Sequence, residues 1–130
     1  MKADNDLYRQ LRELPAGQLW GVEVPKFNQA TGKERARQVA LVRAVGVVFT
    51  HCSDPALKIQ VKAWLKGLLQ DPEEKVRRYA MAAIPKLGED VEAERNILTI
   101  LKTSTVDREK RKAGAALEKI AGEETLKAVG

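Results

Sequence analysis

The sequence predicts an all-α fold of stacked helical hairpins, and three observations carry that prediction. Ala, Leu, Val, Lys, Glu and Arg dominate the 130 residues, while aromatics make up only 5%, a composition typical of helical chains. Helix-boundary signals recur every 17 residues, at Asp54-Pro55, Asp71-Pro72, Gly88, Thr105 in the polar turn "TSTVD", and Gly122. A shift of 33 residues then lays Ala80, Ala82, Ala83, Ile84, Lys86 and Leu87 on Ala113, Ala115, Ala116, Leu117, Lys119 and Ile120, and Arg78 on Arg111. One step is a helix plus a short turn, so two steps make a hairpin. Repeats of this length are typical of helical solenoids. Their alanines let neighbouring hairpins approach closely, and Ile and Leu fill the space between. The length suits one domain, 1–130, that buries a core without disulfide or metal staples.

The elements follow in order. A helix is expected near 3–13. Residues 15–31, "PAGQLWGVEVPKFNQAT", carry Gly and Pro and read as an ordered loop anchored by Trp20 and Phe27. These aromatics could form a partner-binding lid. The plainer reading is that 1–32 is an atypical capping helix and loop sealing the open end of the stack, as terminal repeats do. One helix is expected over 33–50. The next, 55–69, takes Asp54 as N-cap and Pro55 at its first position. Asp71 and Pro72 repeat those roles for 72–87, with Glu74 completing a capping box. Pro85 removes a hydrogen bond near the end of that helix and should bend its last turn. Helices near 90–103, 107–121 and 123–128 complete the chain.

The stretch "DPEEKVRRYAMAAIPKLG" resembles the HEAT repeat family. That family's motif runs acidic-Pro, Val-Arg, a small residue, Ala-aliphatic and aliphatic-Gly. Here these are Asp71-Pro72, Val76-Arg77, Ala80, Ala83-Ile84 and Leu87-Gly88. The following "EDVEAERNILTILKTSTVD" is similar to the partner helix of such a hairpin. The next copy, "DREKRKAGAALEKIAG", departs in its first half, where Glu109 stands for Val76 and Lys110 for Arg77. "ERARQVALVRAVGVV" is a weaker earlier copy. The resemblance covers roughly residues 34–130 and implies a right-handed α-solenoid of stacked antiparallel hairpins. It specifies no function, because such repeats serve many roles.

Helical geometry separates the two arginines of this stretch. At about 100° per residue, Val76, Ala80, Ala83, Ile84 and Leu87 form one stripe, with Arg77 at its edge and Arg78 and Pro85 opposite. Arg77 can lay its stem along the core and reach an acidic group on the next hairpin. The resemblance implies the same structural inter-repeat role. Arg78 is expected to face solvent, where it could meet an anionic partner or simply be hydrated.

The residues offer little for catalysis. His51 and Cys52 are the sole members of their types, and adjacent helical positions point apart, so a Cys–His nucleophile pair is not expected. The plainer reading places His51 at a helix C-terminus and Cys52 as a small hydrophobe. No metal site of the usual N/S type is expected, and no cofactor. The paired carboxylates Glu73/Glu74, Glu89/Asp90 and Glu123/Glu124 fall in first helical turns, where the dipole favours them. No Gly-rich phosphate loop or serine triad is visible.

Charge is the remaining signal. The chain carries 23 Lys/Arg and 18 Asp/Glu, formally +5, with a pI of about 9.4. Residues 1–65 hold 10 basic against 6 acidic groups, and residues 66–130 hold 13 against 12. Lys58, Lys62 and Lys66 recur every fourth residue and share one helix face. They read either as a phosphate-tracking row or as a solvated face. Arg111 and Lys112 in "DREKRK" add to Arg78. Exposed aromatics do not interleave these cations, which gives base stacking little support.

The expected function is a non-catalytic protein-interaction or scaffold module whose partner is a protein or an adjacent domain. The alternative is an RNA- or DNA-binding accessory domain of a larger modifying enzyme. A lower alternative is a role resembling the HEAT-like bilin lyases, which would need a pocket of convergent polar groups. The lone cysteine, the polar N-terminus and the lack of a long apolar run point to a soluble, cytoplasmic protein without a membrane span.

Overall fold

The computed structural model describes residues 2–120. It has eight helices and, among those residues, no strand. α1 is Lys2–Arg12. α2 passes through three segments without a break: Ala16–Gln18, a π-turn at Leu19–Glu23, and Val24–Gln29. α3 is Gly32–Arg37, α4 is Ala40–Val48 and α5 is Pro55–Leu68. α6 is Glu74–Ala83, closed by a 3-10 turn at Ile84–Leu87. α7 is Val91–Thr103 and α8 is Asp107–Ile120. The expected helix near 123–128, the stop at Gly122 and the Glu123/Glu124 pair lie outside the described residues.

α4, α6 and α8 lie side by side, with α1 on the other flank of α4. Behind them, α5 packs on α6, α7 packs on α8, and α2 meets α4 and α5 through its aromatic rings. Alternate helices thus form two layers around one core. The positions that superpose under the 33-residue shift are buried alike: Ala80 with Ala113, Ala83 with Ala116, Ile84 with Leu117. Asp54 caps α5 as expected, accepting from the backbone N–H of Ala56 at 3.0 Å and of Leu57 at 3.2 Å.

Residues 15–31 are not a loop, because burial overrides Gly17, Gly21 and Pro25. Leu19, Val24 and Phe27 are buried. In a regular α-helix, the five-residue step from Leu19 to Val24 would turn Val24 well away from Leu19. A π-turn accommodates one extra residue, which brings Leu19, Val24 and Phe27 onto one face. The Val24 N–H donates to the Leu19 carbonyl. Pro25, which has no N–H, follows at once, where the ladder is already shifted. Trp20 then meets Phe49 and Trp64 edge to face at 6.1 and 6.0 Å, and Phe27 meets Trp64 at 6.0 Å. The Trp64 indole donates to Asn28 Oδ1 at 2.9 Å.

The expected helix over 33–50 is two helices, broken at Gln38–Val39. The two halves bury different amounts. "GKERAR" buries nothing, whereas "ALVRAVGVV" buries six of its residues. The break lets each half take its own direction. The capping box at Asp71 is also absent, and α6 begins at Glu74 rather than Pro72. The Asp71 carboxylate instead accepts the Glu73 N–H at 2.9 Å, and the Glu74 carboxylate turns to arginines. Pro85 sits in the 3-10 turn that tightens the end of α6.

Gly46 of α4 sits closely against Ala83 of α6. A Cβ on Gly46 would stand 2.7 Å from Ala83 Cβ and 2.9 Å from its Cα. Gly46→Ala gains helix propensity of up to ~1 kcal/mol but overpacks a rigid helix crossing at about 1–3 kcal/mol. Thermal unfolding followed by circular dichroism should show a lower Tm for Gly46→Ala. Gly67→Ala, with no atom within 4 Å of the new methyl, should not lower it.

Candidate interaction surface

Most of the arginines and lysines singled out above are committed inside the molecule. Arg77 crosses from α6 to the start of α8. Its Nε donates to Glu109 Oε2 at 2.6 Å and its Nη2 to Glu109 Oε1 at 3.2 Å. Its Nη1 donates to the carbonyls of Asp71 at 2.8 Å and Pro72 at 3.2 Å. Ser104 adds a third bond to Glu109, at 2.6 Å. Glu109 is 2% exposed, and no other charged residue among those described is fully buried. Burial alone pushes its carboxyl up. The hydrogen bonds from Arg77 and Ser104 and the Arg77 charge outweigh that and hold it below its ordinary value of 4.5. The bond to Glu109 correspondingly holds Arg77 above its usual range.

Two of the three lysines in the α5 row, Lys62 and Lys66, are engaged by acidic and carbonyl oxygens of the protein. Lys62 donates to the Glu89 carbonyl at 3.0 Å and lies 3.7 Å from Asp90. Lys66 pairs with Asp90 at 3.2 Å and with Glu92 at 3.8 Å. Both side chains are only about one-fifth exposed. Their long stems bend back to the turn between α6 and α7, where Asp90 caps α7 by accepting the Ala93 N–H at 3.0 Å. Burial raises the Asp90 carboxyl, but that N–H and the two lysines reverse the effect and leave it below 3.8. Lys58, half-buried one turn earlier, lies outside this clamp.

Arg78 is also less exposed than its face suggested. Its Nε donates to Glu74 Oε2 at 2.8 Å, leaving the side chain 21% exposed. Arg108 takes the other Glu74 oxygen at 2.7 Å, so one carboxylate ties α6 to α8. At the opposite end, Arg35 of α3 stacks 4.7 Å over the Phe27 ring and pairs with Asp71 and, at 3.9 Å, Glu73. Neither Arg35 nor Glu109 stood out in the sequence as a functional residue. Glu109 had a signal, a charge where the preceding copy has Val76.

Cations outside the described ion pairs occur on several helices, among them Lys33, Arg37, Lys58, Arg95 and Lys102, and others stand on α6 and α8. Lys86, Arg111 and Lys119 are exposed and Lys112 is half-buried. None of the four meets an acidic partner among the described residues. Lys112 and Lys119 flank a shallow groove of about 30 Å³ floored by Met81, Ala82, Pro85, Ala115 and Ala116. A larger cavity of about 320 Å³ lies between α1, α2 and α4. Leu7, Leu11, Leu14 and Leu41 line it, with Gln10, Gln18 and Gln38 on its rim.

His51 is exposed after α4, and Cys52 is half-buried with its thiol 3.5 Å from the Asp54 carbonyl. Among the described residues, no group of three or more His, Cys, Asp or Glu could hold a metal ion. No described helix is long and apolar enough to cross a membrane.

Breaking one half of a buried pair costs about 3–5 kcal/mol, whereas replacing both by apolar groups is often neutral. Arg77→Met should therefore destabilise strongly. Arg77→Met combined with Glu109→Val, the residue of the preceding copy, should recover most of the loss in urea unfolding. The pH dependence follows from the same groups. Glu109 and Asp90 have depressed folded pKa values, so their contribution is complete above the ordinary values of 4.5 and 3.8. It is lost as pH falls through the folded values. Glu109→Gln should flatten the acid limb of a stability–pH curve while leaving the slope above pH 5 unchanged.

Comparison of the chain with protein-family models, with curated proteins and with solved structures finds no match.

Proposed function

We propose that the chain is a non-catalytic protein-interaction module of HEAT-like stacked hairpins, working in the cytoplasm and binding through the outward side of α6 and α8. The supporting observation is the set of cations without acidic partners there. Lys86 and Lys119 coincide under the 33-residue shift, and Arg111 and Lys112 lie about two turns before Lys119 on α8. A stack that repeats its helices repeats its surface chemistry, and this is how such proteins build extended binding faces. Arg77, by contrast, reads as a structural link between repeats.

A second reading, an RNA- or DNA-binding accessory domain, draws on the same cations. The lysine row supports it less, since Lys62 and Lys66 pair with Asp90. No specific observation favours a bilin-lyase-like role. The large cavity is floored by leucines, and its one charged pair, Glu23 and Lys26, compensates itself at 3.8 Å.

Fluorescence anisotropy with labelled RNA and DNA, duplex and single-stranded, across a salt series separates the two readings. Under the protein-interaction reading, binding is weak at low salt and gone near physiological salt. Sub-micromolar binding with a steep salt slope, lost in Arg111→Glu/Lys112→Glu, would transfer the function to nucleic acid.

A further inference from the structure

The geometry points to an acidic amphipathic helix as the occupant of the α6–α8 groove, an inference that rests on the protein-interaction reading above. The argument begins with the floor. Ala82 and Pro85 from α6 and Ala115 from α8 present only methyl and ring carbons to the groove. Small residues at a contact let helix axes approach to the short end of the usual 8–10 Å range. With a volume of only about 30 Å³, the groove is shallow and suits small side chains from a partner.

The rims carry the charge. Lys112 and Lys119 stand two turns apart on α8, about 10.5 Å along the axis at 1.5 Å per residue. Arg111 and Lys86 are exposed next in sequence to Lys112 and to Pro85 of the floor, though neither lines the groove itself. A helix laid in the groove with acidic residues seven apart would place both carboxylates on Lys112 and Lys119. A small residue between them would fall over the alanine floor. Helix-in-groove recognition uses this combination of an apolar seat and flanking charges.

A phosphate backbone fits less well. It would meet the cations but leave the uncharged floor without a partner, and the exposed carboxylate of Glu118 follows Leu117 on the same helix. Phosphate tracking gains from continuous positive charge, whereas an amphipathic helix uses both the floor and the rims. The Glu74 carboxylate is already shared by Arg78 and Arg108. None of the three lines the groove, whose own cations are Lys112 and Lys119.

The test uses a fluorescein-labelled synthetic helix of about 20 residues, long enough to hold helical structure, with Glu at seven-residue spacing and Ala between. A matched probe carries Gln in place of Glu. The full chain should bind the Glu probe and weaken at least tenfold in Lys112→Glu/Lys119→Glu, with unchanged circular dichroism. The Gln probe should bind at least tenfold more weakly. Ala115→Leu leaves every charge in place but fills the exposed groove, and it should weaken the Glu probe while leaving duplex DNA binding unchanged. Full binding by Ala115→Leu would overturn the seating of a helix in the groove. If duplex DNA binds, the Glu probe does not, and the lysine variant loses the DNA, the helix inference fails while α6–α8 stands as a binding face. If neither probe binds, both the inference and the face are overturned.

Discussion

A carboxylate with 2% exposure, placed where the preceding copy carries valine, makes the α6–α8 contact conditional on Arg77. A charge in that position costs several kcal/mol unless paired and hydrogen-bonded. Arg77 and Ser104 supply three donors, and Arg77 also binds the carbonyls of Asp71 and Pro72. One guanidinium thus fixes the turn before α6, the body of α6 and the first turn of α8. The Asp71 turn is held from its other side by Arg35. The two arginines use different parts of Asp71, carboxylate and carbonyl, so the latches run in series from α3 to α8.

Charge is divided between the two layers. Behind the core, Lys62 and Lys66 are spent on Asp90. On α6 and α8, Arg78 and Arg108 share Glu74, while Lys86, Arg111, Lys112 and Lys119 remain unspent among the described residues. Lys33, Arg37, Lys58, Arg95 and Lys102 also stand outside the described ion pairs, so the formal excess of +5 is spread over several helices, and what sets α6 and α8 apart is that Lys112 and Lys119 flank a groove.

The helices with strong local signals were legible. Asp54-Pro55 marked the start of α5, and the shift between Ala80–Leu87 and Ala113–Ile120 marked the shared core positions of α6 and α8. What failed were the places where tertiary contacts override local chemistry. Asp71 looked like a cap with Glu74 as its box partner, yet Arg35 sits 36 residues away in sequence. Nothing local reveals such a partner. Lys62 and Lys66 were found as a row, but a helical wheel assigns a direction to the Cβ and not to a flexible ammonium. Glu109 was visible as an anomaly, and its meaning needed the Arg77 geometry.

The π-turn of α2 bears on the order in which the chain acquires structure. Residues 16–29 carry two glycines and a proline, with no side-chain cap at either end of the π-turn. Alone, such a segment is a poor helix. Its helicity is borrowed from Phe49 and Trp64, which dock Trp20 and Phe27. Both lenders lie later in the sequence. During synthesis from the N-terminus, α2 must wait until α5 has emerged before it can close. Until Trp64 has been made, this earlier segment therefore shows its indole and phenyl rings to whatever surrounds the nascent chain.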